Sequence, residues 1–518
     1  MMHILNTYKR QILLLAIVWF VLAELLPSIT MPEINRAEAA WGNAALKIIH
    51  NRPADFSFLG RHLPISVDGK HSALEAYILV PFVLWGGPRL EALRAGAIFI
   101  GMIIIVLTYY FGSKLFNPAV GILSVVLLVI NPSFLDIVKL GAGFGFTLPI
   151  FTLGSLLLLF EWHNKRKNLY LYLGMTFLGL GYYAKGWFIW FVIALGITAV
   201  ILYLPRNKVR IKTIIISAAC LFLVWLPILC WYVKKRFFVN FVASNFIITV
   251  HKINNLNIFY NLYIRLAHLS GLLIGASKEG LFIKLLPLLF FLICVAWLLL
   301  FVFLKKKTSF PRNKILFILV LFCLTLILSS FNFTIHRKEH LFILFPYIQV
   351  IMAIGIFEMF NFLGRAIKIR VLFLLFVTIL FASYFLQRIE TCSALREQKE
   401  DMRDCNIPLV TEWLLENKIP GLVTFGLVPR LGVEFYSNLK IHGRHLFKRN
   451  RNFLDLLKWT ISNADLNDIF VFNLDQADDK EGLQDFLRFS KELNKEVVVR
   501  KEFLRSNGDL RFTLYSLK

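Results

Sequence analysis

Apolar runs recur along this chain, and the longer ones reach the about 17 to 25 residues that a helix needs to cross a hydrocarbon layer about 30 Å thick. They lie at 11–29, 95–111, 118–131, 146–161, 169–184, 187–204, 213–233, 280–304, 315–331, 341–361 and 371–387. With 58% of its 518 residues hydrophobic and 15% aromatic, the chain is too apolar for a soluble domain of this length. The pattern predicts a polytopic α-helical membrane protein of about eleven spans. A twelfth apolar piece, 73–85, is short and interrupted by Glu75 and Pro81. It reads as a helix lying in the outer interface.

Charge supports this division. Lys and Arg number 57 against 32 Asp and Glu, a net charge of +25. The basic residues lie mainly between the spans, so they read as topology signals and not as a nucleic-acid surface. With 73–85 left uncrossed, Lys9, Arg10, Lys114, Lys165–Lys167, Arg206–Lys212, Lys305–Lys314 and Arg365–Arg370 all fall on one side, with Glu161 the acid near them. By the positive-inside rule that side is cytoplasmic. The expected placement is the cell's inner (plasma) membrane, with the N-terminus inside and the C-terminal region outside. Residues 11–29 follow Lys9 and Arg10 without a small-x-small cleavage pattern, and read as a retained first span.

Composition changes after about residue 387. Helical patterns at 407–418, 452–464 and 482–495 alternate with strand patterns at 421–426, 468–473, 496–504 and 510–517, and Ser506–Asp509 supplies a hairpin turn. The expected domains are a transmembrane unit over 1–387 and an extracytoplasmic α/β domain over 388–518. Cys220, Cys230, Cys294 and Cys323 fall in spans and read as small apolar residues. Cys392 and Cys405 lie outside the membrane, where a disulfide is left open.

Acidic residues are scarce, yet the loop after the first span gathers Glu33, Glu38, Asp55, Asp68, Glu75 and His71. Asp68 and His71 sit in VDGKHS, where Asp-Gly favours a turn and Ser72 is a helix cap; a substrate contact is the other reading. Lys185, in GLGYYAKGW, stands at the outer end of a span, where it either snorkels or binds a phosphate. His336, Arg337, Lys338 and His340 open HRKEHLFILFPY, and concentrated donors at a helix start suit an anion.

These segments together resemble the GT-C superfamily of membrane glycosyltransferases, within it the protein O-mannosyltransferase and aminoarabinose-transferase relatives. EAAWGNAALKIIHNRPADF resembles the acidic first-loop motif, and DGKHSALEAYILVPFVLWGG the re-entrant helix. ALRAGAIFIGMIIIVLTYYFGSKLF resembles the next span, with Arg94 at the family's Arg. GLGYYAKGW and HRKEHLFILFPY resemble later basic segments, so the likeness covers about residues 10 to 390.

The resemblance implies an inverting transfer of sugar from a polyprenyl-phosphate donor to an acceptor hydroxyl of a lipid, glycan or protein. A first-loop carboxylate would be the general base. Lys185, His336, Arg337, His340 and Arg94 would bind the donor phosphate. Asp68, His71 and Asp136 are possible substrate contacts.

Two departures stand out. Aligned on Trp41 and Gly42, the family's Asp-Glu pair falls on Ala37 and Glu38; aligned on Pro32, the base position is Glu33. In the next outer loop Gly or Ala stands near the metal-assisting Asp, and Asp136 comes several residues early. The resemblance therefore carries no cofactor and leaves a divalent metal doubtful. Two other functions remain beside the enzyme: a GT-C-like binding or assembly subunit without catalysis, and a lipid or polysaccharide transporter. The transporter would place paired charges deep within spans, whereas here they gather at the outer edge.

Overall fold

The computed structural model describes residues 11, 13–20, 36–53, 56–58, 60–65, 67, 72–139, 146–202, 210–234, 258–274, 281–303, 310–330, 338–362, 375, 377–380, 382–383, 406–417, 419, 421–424, 437, 442–445, 469–473, 477–493, 495–504 and 510–517. The chain forms two compact units, each assembled from separate segments. One comprises Met1–Leu26, Gly69–Leu74 and Ala97–Ala394; the other comprises Pro27–Asp68, Glu75–Gly96 and Leu395–Lys518.

The first unit is a helical bundle. Five helices are long and apolar enough to cross a membrane among the described residues: Leu90–Leu115, Ile211–Trp231, Leu286–Phe303, Arg312–Ser329 and Leu341–Phe362. The chain is a multi-pass membrane protein. The helix Phe345–Phe362 is the bundle's core: every residue from Phe345 to Met359 is buried, as expected of a helix apolar on all faces. It packs on Pro118–Ile130 and on Leu281–Phe303. Ile211–Lys234 lies at the other extreme. Ile214, Ile215, Phe222, Leu223 and Leu226 are exposed on it, the surface a helix offers to lipid.

Close packing is set by small residues. A Cβ on Gly121 would lie 2.6 Å from the Tyr109 carbonyl oxygen, and one on Gly112 would lie 2.9 Å from Gly121 Cα. The two glycines let Pro118–Ile130 fold back against the end of Leu90–Leu115 across the short turn at Asn117, whose side chain caps the Val120 N–H at 2.9 Å.

Most expected spans become helices within a few residues of their predicted ends; 169–184, for example, is Asn168–Ala184. The stretch between the expected spans 213–233 and 280–304 differs. Its end forms a helix, Ile258–Ile274. Residues 21–29 and most of 371–387 lie outside the described residues.

The second unit includes the first-loop elements and the C-terminal α/β domain. In the latter, β1 (Gly421–Thr424), β2 (His442–His445), β3 (Ile469–Asn473), β4 (Val497–Leu504) and β5 (Leu510–Leu517) form one mixed sheet in the order β2-β1-β3-β5-β4. β1 runs parallel to β2 and β3, while β5 is antiparallel to β3 and β4. The helix Ala477–Glu492 covers the sheet, with Phe486 set 4.7 Å from Phe470 and 6.0 Å from Tyr515 between ring centroids. Burial raises the Tyr515 phenol's pKa, with Glu502 adding to the effect and a bond to Thr513 opposing it. The predicted helix 452–464, the turn Ser506–Asp509, Cys392 and Cys405 lie outside the described residues.

Candidate functional site

The first loop folds into a helix, Arg36–Ile49, and Glu38 lies in its first turn. Carboxylates suit that position because it faces the positive end of the helix dipole. Glu38 is 1% exposed, and Arg94 Nε donates to its Oε1 at 3.3 Å. Arg94 is also buried, near the start of Leu90–Leu115. The residue expected to bind donor phosphate thus sits against the residue expected to act as base. Burying two charges is favourable only when each meets the other, so this pair fixes the carboxylate's place.

Two residues past the end of this helix, Asn51 has a left-handed φ of 49°. Its side chain then does a second job. Asn51 Nδ2 donates to the Gly60 carbonyl at 3.1 Å, and Asn51 Oδ1 accepts from the His62 N–H at 2.7 Å. These bonds pin a two-stranded hairpin, Phe56–Phe58 with Arg61–Leu63.

The re-entrant segment is the helix Leu74–Gly86, 13 residues long. At about 1.5 Å per residue it falls short of a hydrocarbon layer about 30 Å thick. Ser72 Oγ accepts from the Leu74 N–H at 3.0 Å, the cap expected of VDGKHS. Glu75 in its first turn is buried, and Trp85 at its far end is 94% exposed. Tyr77 donates to the Pro64 carbonyl at 3.1 Å, and burial pushes its pKa up to about 12.

Three elements of the helical unit form a second cluster. They are the short helix Pro132–Lys139, the helix Ile258–Ile274 and a seven-residue 3-10 helix, Lys338–Leu344. Ile258–Ile274 packs against both of the others, and Ser133 Oγ donates to the Gly271 carbonyl at 3.2 Å. Runs of 3-10 helix beyond about four residues are uncommon; here aromatic packing holds one. Phe342 stacks on Phe134 at 6.1 Å and meets Phe146 at 5.5 Å and Phe345 at 5.4 Å.

Arg265 is the residue that sequence reading missed. It is 1% exposed on Ile258–Ile274, with Asn261 one turn before it and His268 one turn after. Spacings of four and three put all three on one helix face. The signal was present in NLYIRLAHL, where polar residues recur at helical intervals among leucines.

The remaining candidates divide as follows. Asp136 lies on Pro132–Lys139, and His340 with Lys338 on the 3-10 helix, so these backbones share the cluster with Arg265. Lys185 ends Asn168–Ala184 in extended conformation and is half-buried; its N–H donates to Gly181 at 3.1 Å, and its carbonyl accepts from Phe188 at 2.9 Å. Glu33, Asp55, Asp68, His71, His336 and Arg337 lie outside the described residues. Among the described residues no group of three His, Cys, Asp or Glu gathers in a way that could hold a metal ion.

A family model described as dolichyl-phosphate-mannose-protein mannosyltransferase matches residues 70–231. The structure is similar over 97% of its length to 97% of ArnT from Cupriavidus metallidurans bound to undecaprenyl phosphate, with a TM-score of 0.65 at 10% identity. The chain has the GT-C fold. It is also similar, over 95% of its length and 69% of the other chain, to the archaeal oligosaccharyltransferase AglB from Archaeoglobus fulgidus in complex with an inhibitory peptide and a dolichol-phosphate (TM-score 0.54, 14% identity). No curated protein sequence matches the chain. The chain thus joins a polytopic helical part to a C-terminal α/β domain, the architecture that its composition predicts.

Proposed function

We propose that this GT-C protein is a membrane glycosyltransferase that moves a sugar from a polyprenyl-phosphate donor to an acceptor hydroxyl at the extracytoplasmic face. The observation that carries the reading is Arg265, a buried guanidinium in a cluster that also holds the segment bearing His340. A guanidinium grips phosphate oxygens with paired donors and keeps its charge when desolvated. The fold's solved relatives are bound to undecaprenyl phosphate and dolichol-phosphate, which supports the same ligand class here.

A first-loop carboxylate, Glu38 or Glu33, takes the acceptor hydroxyl's proton. The hydroxyl oxygen attacks the anomeric carbon from the side opposite the phosphate, the bond from that carbon to the phosphate oxygen breaks, and the configuration inverts. Negative charge grows on the departing phosphate, where Arg265, Lys185, His336, Arg337 and His340 stabilise it. Arg94 acts on the carboxylate and holds Glu38 in place. Asp68, His71 and Asp136 contact the sugar or the acceptor. The N-terminus is cytoplasmic and residues 388–518 are extracytoplasmic, a reading that the distribution of basic loops supports. The acceptor is a lipid, glycan or protein hydroxyl.

A second reading, a GT-C-like subunit without catalysis, is favoured by Ala37 at the family's base position. One assay separates the two. Full-length protein in nanodiscs is given radiolabelled polyprenyl-phosphate sugars and membrane extract as acceptor. Wild type is compared with Glu38→Gln, Glu33→Gln, Lys185→Ala and Arg265→Ala. Transfer lost in one glutamine variant and kept in the other identifies the base. Donor binding without transfer, weakened by Arg265→Ala, establishes the binding subunit instead.

A further inference from the structure

At one end of the helical unit, a cavity of about 300 Å³ lies among the ends of four helices. It is unrelated to the Arg265 cluster: none of that cluster's elements lines it. Lys114, Glu161, His163 and Lys314 are among its polar lining residues, with Asn164 and Asn313, and Phe160 and Leu202 are part of its apolar wall.

The charges on it are not all matched. Glu161 accepts from Lys114 at 3.1 Å and from Lys165 at 2.7 Å, so its carboxylate is already shared by two ammonium groups. Lys314 is half-buried at the start of Arg312–Ser329 and has no acidic partner among the described residues. Pro311 caps that helix, its carbonyl accepting from the Lys314 N–H at 2.9 Å, so the positive end of a helix dipole also borders the cavity. Topology alone asks only that a loop carry basic residues. It does not require a lysine to sit half-buried beside a cavity without an acidic partner.

We propose that this cavity binds the phosphate group of an anionic ligand, with Lys314 as the principal cation and Lys114 at its rim. Two sources present that chemistry: an anionic phospholipid headgroup, whose acyl chain would follow the Leu202 and Phe160 wall, and free phosphate. Basic pockets among helix ends at a membrane surface suit the first.

The test is native mass spectrometry on the full-length protein in detergent, titrated separately with phosphatidylglycerol, phosphatidylcholine and inorganic phosphate. Wild type is compared with Lys314→Ala, Lys314→Arg and Lys212→Ala, an exposed lysine that does not line the cavity. Phosphatidylglycerol should bind at least about fivefold tighter than phosphatidylcholine, the worth of one basic contact at a membrane surface. Lys314→Ala should remove that preference, Lys314→Arg should restore it, and Lys212→Ala should leave it intact. Tight binding of inorganic phosphate, lost in Lys314→Ala, would assign the site to a soluble phosphate. Equal binding of both lipids without a phosphate response overturns the proposal. An equal loss in Lys212→Ala does the same, because it would make the effect one of general surface charge. Melting curves of each variant show that it is folded, and Lys314→Arg keeps the test decisive if Lys314→Ala is not.

Discussion

Glu38 and Arg94, 56 positions apart in sequence, meet as a buried ion pair 3.3 Å long. The side chains are 1% and 4% exposed, so little water screens either charge. Removing one partner strands the other in a site that cannot solvate it, at a cost of about 3–5 kcal/mol. Arg94→Ala and Glu38→Ala should each lower the thermal midpoint markedly. The double variant Glu38→Ala/Arg94→Ala should be more stable than the sum of the single losses predicts. Thermal midpoints of the four proteins in detergent form the cycle that measures this coupling. Additive losses would mean that the pair is not coupled.

Arg265 yields a prediction of a different kind, because its value lies in binding. If it holds the donor phosphate, Arg265→Ala removes charge-assisted hydrogen bonds worth about 1.5–3 kcal/mol in total. Affinity for undecaprenyl phosphate should fall at least about tenfold, measured by thermophoresis on full-length protein. Arg265→Lys should recover only part of the loss, because an ammonium is a point charge and cannot bind two oxygens in one plane. Unchanged affinity in both variants would confine Arg265 to a structural role.

What the sequence made legible follows from how each element is stabilised. Spans such as Asn168–Ala184 were visible because lipid and core both demand unbroken apolar residues. Ile258–Ile274 was hidden because Asn261, Arg265 and His268 break its hydropathy, although they share one face of the helix. His442–His445 was missed for a related reason. It is a polar edge strand held by parallel pairing with Gly421–Thr424, and HGRH offers no apolar alternation. Both Glu38 and Arg94 stood out singly, but their pairing depends on the chain's return 56 residues later. Glu33, the other candidate base, lies outside the described residues.

Helix packing supplies a stability prediction. The Cβ of a residue replacing Gly121 would meet the Tyr109 carbonyl oxygen at 2.6 Å, and a backbone oxygen cannot swing aside as a side chain can. Gly121→Val should force Pro118–Ile130 away from Leu90–Leu115. Overpacking of this kind costs about 1–3 kcal/mol or more. Gly196, with open space where its Cβ would be, is the matched control; Gly196→Ala should leave the protein unharmed. The readout is the monodisperse fraction after heating, followed by size-exclusion chromatography.

The first-loop hairpin can be dissected at Asn51, which carries two separable burdens. Its backbone is left-handed at φ 49°, and its side chain bonds both Gly60 and His62. Asn51→Gly keeps the backbone conformation and loses both bonds, at about 1 kcal/mol each. Asn51→Ala loses the bonds and adds the left-handed penalty, another kcal/mol or so. Asn51→Asp retains the acceptor for the His62 N–H and gives up the donor to Gly60. Amide exchange at His62 should therefore quicken in the order wild type, Asp, Gly, Ala, read by hydrogen–deuterium exchange on peptides covering 56–63. Equal exchange in the Gly and Asp variants would show that the 2.7 Å bond from His62 does not hold the hairpin.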